Sequence, residues 1–117
     1  MLDNKDKQRI IQEFVPGKQV TMAHIIANPD INIYKKLGVI DAVDGALGIM
    51  TITPAEAAII GADTATKAAQ VEVVFLDRFN GTLVVRGEVA DVESSLRNVI
   101  DVLSNTLHFT PTEITKS

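Results

Sequence analysis

A single α+β domain, with helices laid on an antiparallel-type sheet, is predicted by three features of this sequence. Strand-like and helix-like runs follow one another in the order β-β-α-β-α-β-β-α. Asn80-Gly81, the favoured pair for a tight two-residue hairpin turn, stands between two of the strand-like runs. A long last helix carries Val89, Val92, Leu96, Val99, Leu103 and Leu107 as one apolar stripe at three/four spacing.

Composition narrows the class further. At 117 residues the chain has room for one domain and one core. Its 46% hydrophobic content and mean hydropathy of +0.19 predict more apolar surface than that core can hide, as in an obligate oligomer. Aromatic residues supply only 4%, so packing rests on Ala, Val, Ile and Leu. A net charge of −4 and a pI near 5.0 argue against nucleic acid as the main partner. The absence of cysteine excludes disulfides, thiolate catalysis and Cys-ligated metal sites. Residues 1–7 are charged and lack the apolar core of a signal peptide. No segment approaches the roughly 20 apolar residues of a membrane helix. The expectation is a soluble cytoplasmic protein without membrane contact.

Taken in order, residues 1–8 are polar and read as a flexible terminus. Arg9, Ile10, Ile11, Gln12, Glu13, Phe14 and Val15 form a short β-prone run stopped by Pro16-Gly17. Its mixed faces would be poorly buried in a lone monomer, so it calls for a pairing partner. Residues 19–27 are a second strand, apolar enough to lie inside a sheet. Asn28-Pro29 reads as N-cap and N1 of a short helix with Ile33 and Leu37 inward and Lys35 and Lys36 at its negative end. Gly38 stops that helix, and a loop runs to Gly45.

Residues 46–52 are a buried strand. Thr53-Pro54-Ala55-Glu56 has the pattern of a capping box with proline at N1. The helix that follows, to Ala69, includes seven alanines counted from Ala55, which lets another backbone come close. A strand over 71–79 leads through the hairpin turn into 82–86, and then into the last helix. The tail from Phe109 is Thr-rich, and Pro111 limits it to an edge strand or coil.

The residues that could carry chemistry have structural explanations. His24 and His108 are far apart in sequence and have no clustered acids beside them. His24, between Ala23 and Ile25, reads as a satisfied sheet histidine, since a catalytic one needs an orienting partner and a cleft. His108 ends a helix, where its charge suits the dipole. Glu56 is explained as a cap, Asp77-Arg78 as a solvated pair, and Asp91 and Glu93 as charges near a positive helix end. The glycines at 45 and 48 lack phosphate-loop spacing. No nucleophile–base pair can be assembled. Neither an enzyme nor a bound metal or cofactor is expected.

Several stretches resemble the bacterial microcompartment shell proteins. Ala46-Leu47-Gly48-Ile49-Met50, the run with Ala62-Asp63, Lys67 and Ala69, and Val85-Arg86-Gly87-Glu88-Val89 are similar to the first strand, first helix and second hairpin of the shell hexamer (BMC) domain. In the ordinary family a strand of the type Val-x-x-His-x-Ile-x-x-Pro follows the last helix. Here its counterpart, from Val20 through His24 and Ile25 to Pro29, precedes the first strand. That order implies circular permutation, which close termini allow. The run from Ile10 to Thr21, and Phe75-Leu76-Asp77-Arg78-Phe79 with Gly81, resemble signatures of the permuted subgroup typified by EutS and PduU.

The resemblance implies a structural tile rather than a catalyst. Six copies would form a ring with a ferredoxin-like sheet in each subunit. Rings would tile with one another and with other shell proteins, enclosing enzymes of ethanolamine, 1,2-propanediol or choline breakdown and retaining their aldehyde. Encapsulated enzymes or their targeting peptides are further implied partners. Lys67 matches an edge lysine and Arg86 an edge arginine at the seam between tiles. Residues 9–15 match a strand that forms an axial barrel closing the pore, with Phe79, Asn80 and Gly81 as a near-axis hairpin. The Gly-rich pore loop of the unpermuted family is absent, so no pore selectivity is assigned. The loop 41–45 is longer than in the subgroup. The implied boundaries are 1–8 for the flexible terminus, 9–17 for the barrel strand and turn, 18–110 for the permuted domain and 111–117 for the tail. The runner-up reading is a small metabolite-binding regulatory module of similar α+β layout.

Overall fold

The computed structural model describes residues 17–39 and 45–117. The predicted first strand, with all seven barrel residues from Arg9 to Val15, and the longer loop at 41–44 lie outside the described residues. The elements are β1 (Gln19–Ile26), α1 (Ile31–Lys36), β2 (Ala46–Thr53), α2 (Ala57–Ala68), β3 (Glu72–Asp77), β4 (Thr82–Gly87), α3 (Val89–Leu107) and β5 (Thr115–Lys116). They build a five-stranded sheet of order β3-β4-β2-β1-β5. All pairings are antiparallel except β5 on β1, which is parallel. The α+β expectation holds, and the Thr-rich tail ends as the edge strand that Pro111 still permits.

Alternation along the strands divides the core in two. Ala46, Met50, Ile52, Leu83 and Val85 face α2 and α3, where they meet Val92, Leu96, Val99 and Leu103. Leu47 and Val84 point the other way, and Tyr34 of α1 covers them. The predicted stripe of α3 is the one buried, with Val89 and Leu107 half-buried at its ends. Gly48 allows this helix to lie against β2, because a Cβ there would sit 2.7 Å from Val92 Cγ1. Small residues do the same between helices. Ala58, Gly61 and Ala65 are buried in α2, and the buried Ser95 hydroxyl donates to the Ala65 carbonyl at 3.2 Å.

Three local expectations are corrected. The first concerns α1, which begins at Ile31 with Asp30 as N-cap, not Asn28. The Asp30 carboxylate accepts from the Asn32 amide at 2.8 Å, and a charged acceptor suits the positive helix end better than a neutral amide. With that start, Tyr34 and Leu37 face the sheet and Ile33 is exposed.

The second concerns α2, whose capping box does not form. Thr53 is held extended by pairing with Gln19, and Glu56 makes no side-chain cap bond. The chain instead enters α2 through backbone bonds from Ala57, Ala58 and Ile59 to the carbonyls of Pro54, Ala55 and Glu56.

The hairpin loop is the third: it has four residues, 78–81, rather than two. Asp77 Oδ1 accepts from the amides of Phe79 and Asn80 at 2.9 and 3.1 Å, and Oδ2 accepts from Asn80 Nδ2 at 2.8 Å. This side-chain turn competes successfully with the tighter backbone turn. Gly81 closes the loop at φ +80°, with its carbonyl accepting from the Ile52 amide at 2.8 Å. A Cβ at Gly81 would collide with the Ile52 carbonyl oxygen.

His108 ends α3, as its position in the sequence predicts. It caps α3 through a left-handed backbone at φ 65°, one of the residue types enriched there. The last turn's carbonyl at Leu107 accepts from Lys18 Nζ at 3.3 Å, so a lysine 89 residues away supplies cationic capping.

Two measurements check this account. Leu96→Ala removes a fully buried side chain between α3 and the sheet and is expected to cost about 2–5 kcal/mol, read as a lower denaturation midpoint. The second concerns pH. The Asn80 side chain, then the Phe79 and Asn80 amides, hold the Asp77 pKa below the ordinary carboxylate value. A depressed pKa contributes stability that is present above the ordinary value of about 3.9 and is lost as pH falls through the lower folded value. Asp77→Ala should therefore lower the melting temperature at neutral pH, and its deficit relative to the parent should shrink below about pH 4. An unchanged deficit down to the acid limit would reject this role for the carboxylate.

Candidate functional site

The β3–β4 hairpin has two ends of different chemistry. At the loop end Phe79 is 77% exposed, and the Arg78 guanidinium lies 4.7 Å from its ring centroid. Asn80 is exposed, whereas Gly81 is buried against Ile52 and Ala55. Contact with Ala55 places the start of α2 at this end, and Ile59 and Ile60 are exposed in its first turn. Phe75 and Leu76 of β3 are exposed as well, on opposite faces of the sheet: Phe75 pairs with Val84 and Leu76 with Leu83, which belong to the two different core clusters. Large apolar side chains left exposed near one end of the molecule point to contact with another chain. This gives a location to the excess hydropathy read from composition.

The opposite end is ionic. Glu72 and Arg86 are register partners across β3 and β4, and Arg86 Nε donates to Glu72 Oε1 at 2.7 Å. The Arg86 side chain is largely covered while that of Glu72 stays exposed. Beside them a shallow groove of about 370 Å³ is lined by Gly45, Gln70, Val71, Glu72, Arg86 and Gly87, with Glu88 at its margin. Lys67 stands in the last turn of α2, just before the chain enters this groove at Gln70, and its Nζ lies 3.0 Å from Asp63 Oδ2. Both members of that pair are well exposed, so it stabilises α2 by about 0.5 kcal/mol at most. The structure thus brings Lys67 and Arg86, 19 positions apart in sequence, to one end of the molecule and separates them from Phe79, Asn80 and Gly81.

His24 is committed to the sheet. Its Nδ1 lies 2.6 Å from Thr115 Oγ1 and its Nε2 2.8 Å from Ser117 Oγ, so both nitrogens are held by hydroxyls of β5 and the residue after it. A general base needs one nitrogen open towards a substrate. Among the described residues no three His, Cys, Asp or Glu side chains are grouped as metal ligands, and no helix is long and apolar enough to cross a membrane. Sequence reasoning missed Ile59, Ile60, Phe75 and Leu76 as surface residues. Two consecutive large apolar residues at 59–60 and at 75–76 were the available signal, because a helix or strand buries only one of such a pair on a given face.

Comparison with known proteins identifies the family. The family model of the BMC domain matches residues 46–114, leaving β1 ahead of the matched region as a permuted strand. The chain is 56% identical over 112 residues to the bacterial microcompartment shell protein EutS of Escherichia coli (strain K12), covering 96% of this chain and 99% of that protein. It is 54% identical over 109 residues to the shell protein PduU of Salmonella typhimurium (strain LT2), covering 93% of each. Among solved structures, a flat hexamer of CutR matches with a TM-score of 0.82 and 46% identity, over 93% of this chain and 99% of that one. The chain belongs to the BMC domain family of bacterial microcompartment shell proteins, in its circularly permuted form.

Proposed function

We propose that this chain is a structural tile: six copies close into a ring, and rings join edge to edge with one another and with other shell proteins. The wall so formed encloses enzymes of ethanolamine, 1,2-propanediol or choline utilization and holds back their aldehyde intermediate. The tile itself performs no reaction. The observation that carries the reading is the set of large apolar side chains left exposed, Ile59, Ile60, Phe75, Leu76 and Phe79, which neighbouring copies would remove from water. Similarity to a hexamer subunit over 93% of the chain supports a ring as the form of that association.

Within this reading the two ends of the β3–β4 hairpin have different tasks. The loop with Phe79, Asn80 and Gly81 lies near the ring axis, below a barrel contributed by residues 9–15. Lys67 and Arg86 lie at the seam between rings. Glu72 fixes the direction of the Arg86 guanidinium through its Nε, and Lys67 stands at the end of α2 as an exposed cation paired with Asp63. Boundaries at 9–17 for the barrel strand and turn and 18–110 for the permuted domain follow from the same reading, with the tail beyond.

Native mass spectrometry of the purified chain is expected to give a six-subunit mass, and electron micrographs of the same sample should show sheets, tubes or stacked rings. A monomer or dimer would replace this reading with the metabolite-binding module. Lys67→Ala should leave the ring mass unchanged while reducing sheet formation in the micrographs. Loss of the ring in that variant would overturn the placement of Lys67 at the seam.

A further inference from the structure

The two edges of the sheet are protected in different ways. Natural edge strands discourage pairing with charges, proline, bulges or a covering segment. At one edge β3 carries Glu72 and Asp77 and a register irregularity between Val73 and Phe75. At the other, β1 reads Gln-Val-Thr-Met-Ala-His-Ile-Ile and holds no Lys, Arg, Asp, Glu or Pro. Its one bulge, between Val20 and Met22, faces β2. What protects β1 is the segment 109–117, which runs alongside it.

That segment is fastened in two dissimilar halves. The first is held by burial: Phe109 is in the core, and Ile114 packs against it. Backbone bonds from Val20 to the Thr110 carbonyl at 2.9 Å and from Thr110 to the Lys18 carbonyl at 2.8 Å add to this. The second half, Thr115, Lys116 and Ser117, is exposed and is held by polar contacts alone. Ser117 donates to the Ile25 carbonyl at 2.8 Å and accepts from the Ala27 amide at 2.9 Å. Lys116 Nζ is 3.7 Å from Glu93 Oε1. His24 grips the two hydroxyls. The Thr115 hydroxyl donates to the Ala23 carbonyl at 3.3 Å, which leaves Thr115 Oγ1 as an acceptor for His24 Nδ1–H, while Nε2 and the Ser117 hydroxyl lie 2.8 Å apart. Water competes for every one of these bonds, so each adds little net stability.

We propose that residues 115–117 are a detachable cover for the β1 edge, and that β1, once uncovered, pairs with β1 of a second copy. Release costs only the polar contacts, since Phe109 and Ile114 keep the rest of the tail seated. It leaves the outward carbonyl of Ile25 and amide of Ala27 without partners, a template for another strand. A second copy is the occupant that fits: two uncharged β1 edges meet about a two-fold axis as an antiparallel pair, with no like charges to hold them apart. The cover therefore limits assembly to the contacts that the apolar and ionic ends of the hairpin provide.

The test compares the intact chain with a variant lacking residues 115–117 and with a full-length Thr115→Val, Ser117→Ala double variant, which removes both His24 partners but keeps every backbone bond. Sedimentation over a range of concentrations gives the mass, circular dichroism the fold, and hydrogen exchange the protection of the Ala27 amide. The expected result for the deletion is native circular dichroism and a mean mass about twofold or more above the intact chain, rising with concentration. The double variant should exchange its Ala27 amide faster and show a smaller rise in mass. A folded deletion variant with the mass of the intact chain at every concentration would overturn the proposal. Should the deletion fail to fold, the double variant decides: faster exchange at Ala27 with an unchanged mass would overturn it. Because each variant is referred to the intact chain, the result is independent of how many copies the intact ring contains.

Discussion

The distance between α3 and β2 governs the rest of this molecule. With Gly48 beneath Val92 and Leu96, a 19-residue helix settles directly on the middle of the sheet, and its apolar stripe fills the space that larger strand residues would occupy. Alanine and glycine on α2 let that second helix lie beside α3, close enough for the Ser95 hydroxyl to reach a backbone carbonyl of its neighbour. Close packing makes such a layer rigid, because interiors of this density tolerate little rearrangement. A tile that must keep its outline while tension passes through its edges gains from that rigidity.

Once α3 is fixed, the tail that follows it is laid alongside β1. The helix ends at His108 in a left-handed turn, Lys18 caps its last carbonyl, and the tail is directed along β1. The first strand and the last therefore lie side by side as a parallel pair. The same geometry makes β5 the outermost strand and gives His24 its two hydroxyl partners.

The β3–β4 hairpin joins the core to the outside. Its middle, Val73, Leu83 and Val85, belongs to the core, while its ends carry aromatic and aliphatic residues at the loop and an ion pair at the open side. Apolar contact is strong and undirected, and an arginine held by a carboxylate is weaker but oriented. Having both on one hairpin places apolar and ionic groups at opposite ends of the molecule, each alterable by substitution without loss of the other.

Much of this was legible in the residues themselves. The α3 stripe, the alanine-rich α2, the satisfied state of His24 and the edge character of the tail all follow from periodicity and residue chemistry. The motifs around Lys67 and Arg86 carried the family. Local pattern failed where two local solutions competed. Asp30 outbid Asn28 as a cap, sheet pairing claimed Thr53 before it could cap α2, and the Asp77 carboxylate widened a turn that Asn80-Gly81 would have closed in two residues. What only the tertiary structure decided are juxtapositions of distant segments: Lys67 with Arg86 at one end, Ile59 with Phe79 at the other, and His24 with Thr115 and Ser117, more than 90 positions away. Sequence determines which faces are apolar and which residues can cap or turn, because those are properties of neighbours along the chain. Which surfaces stay uncovered depends on how the layers close, and that is settled only when α3 meets the glycine in β2.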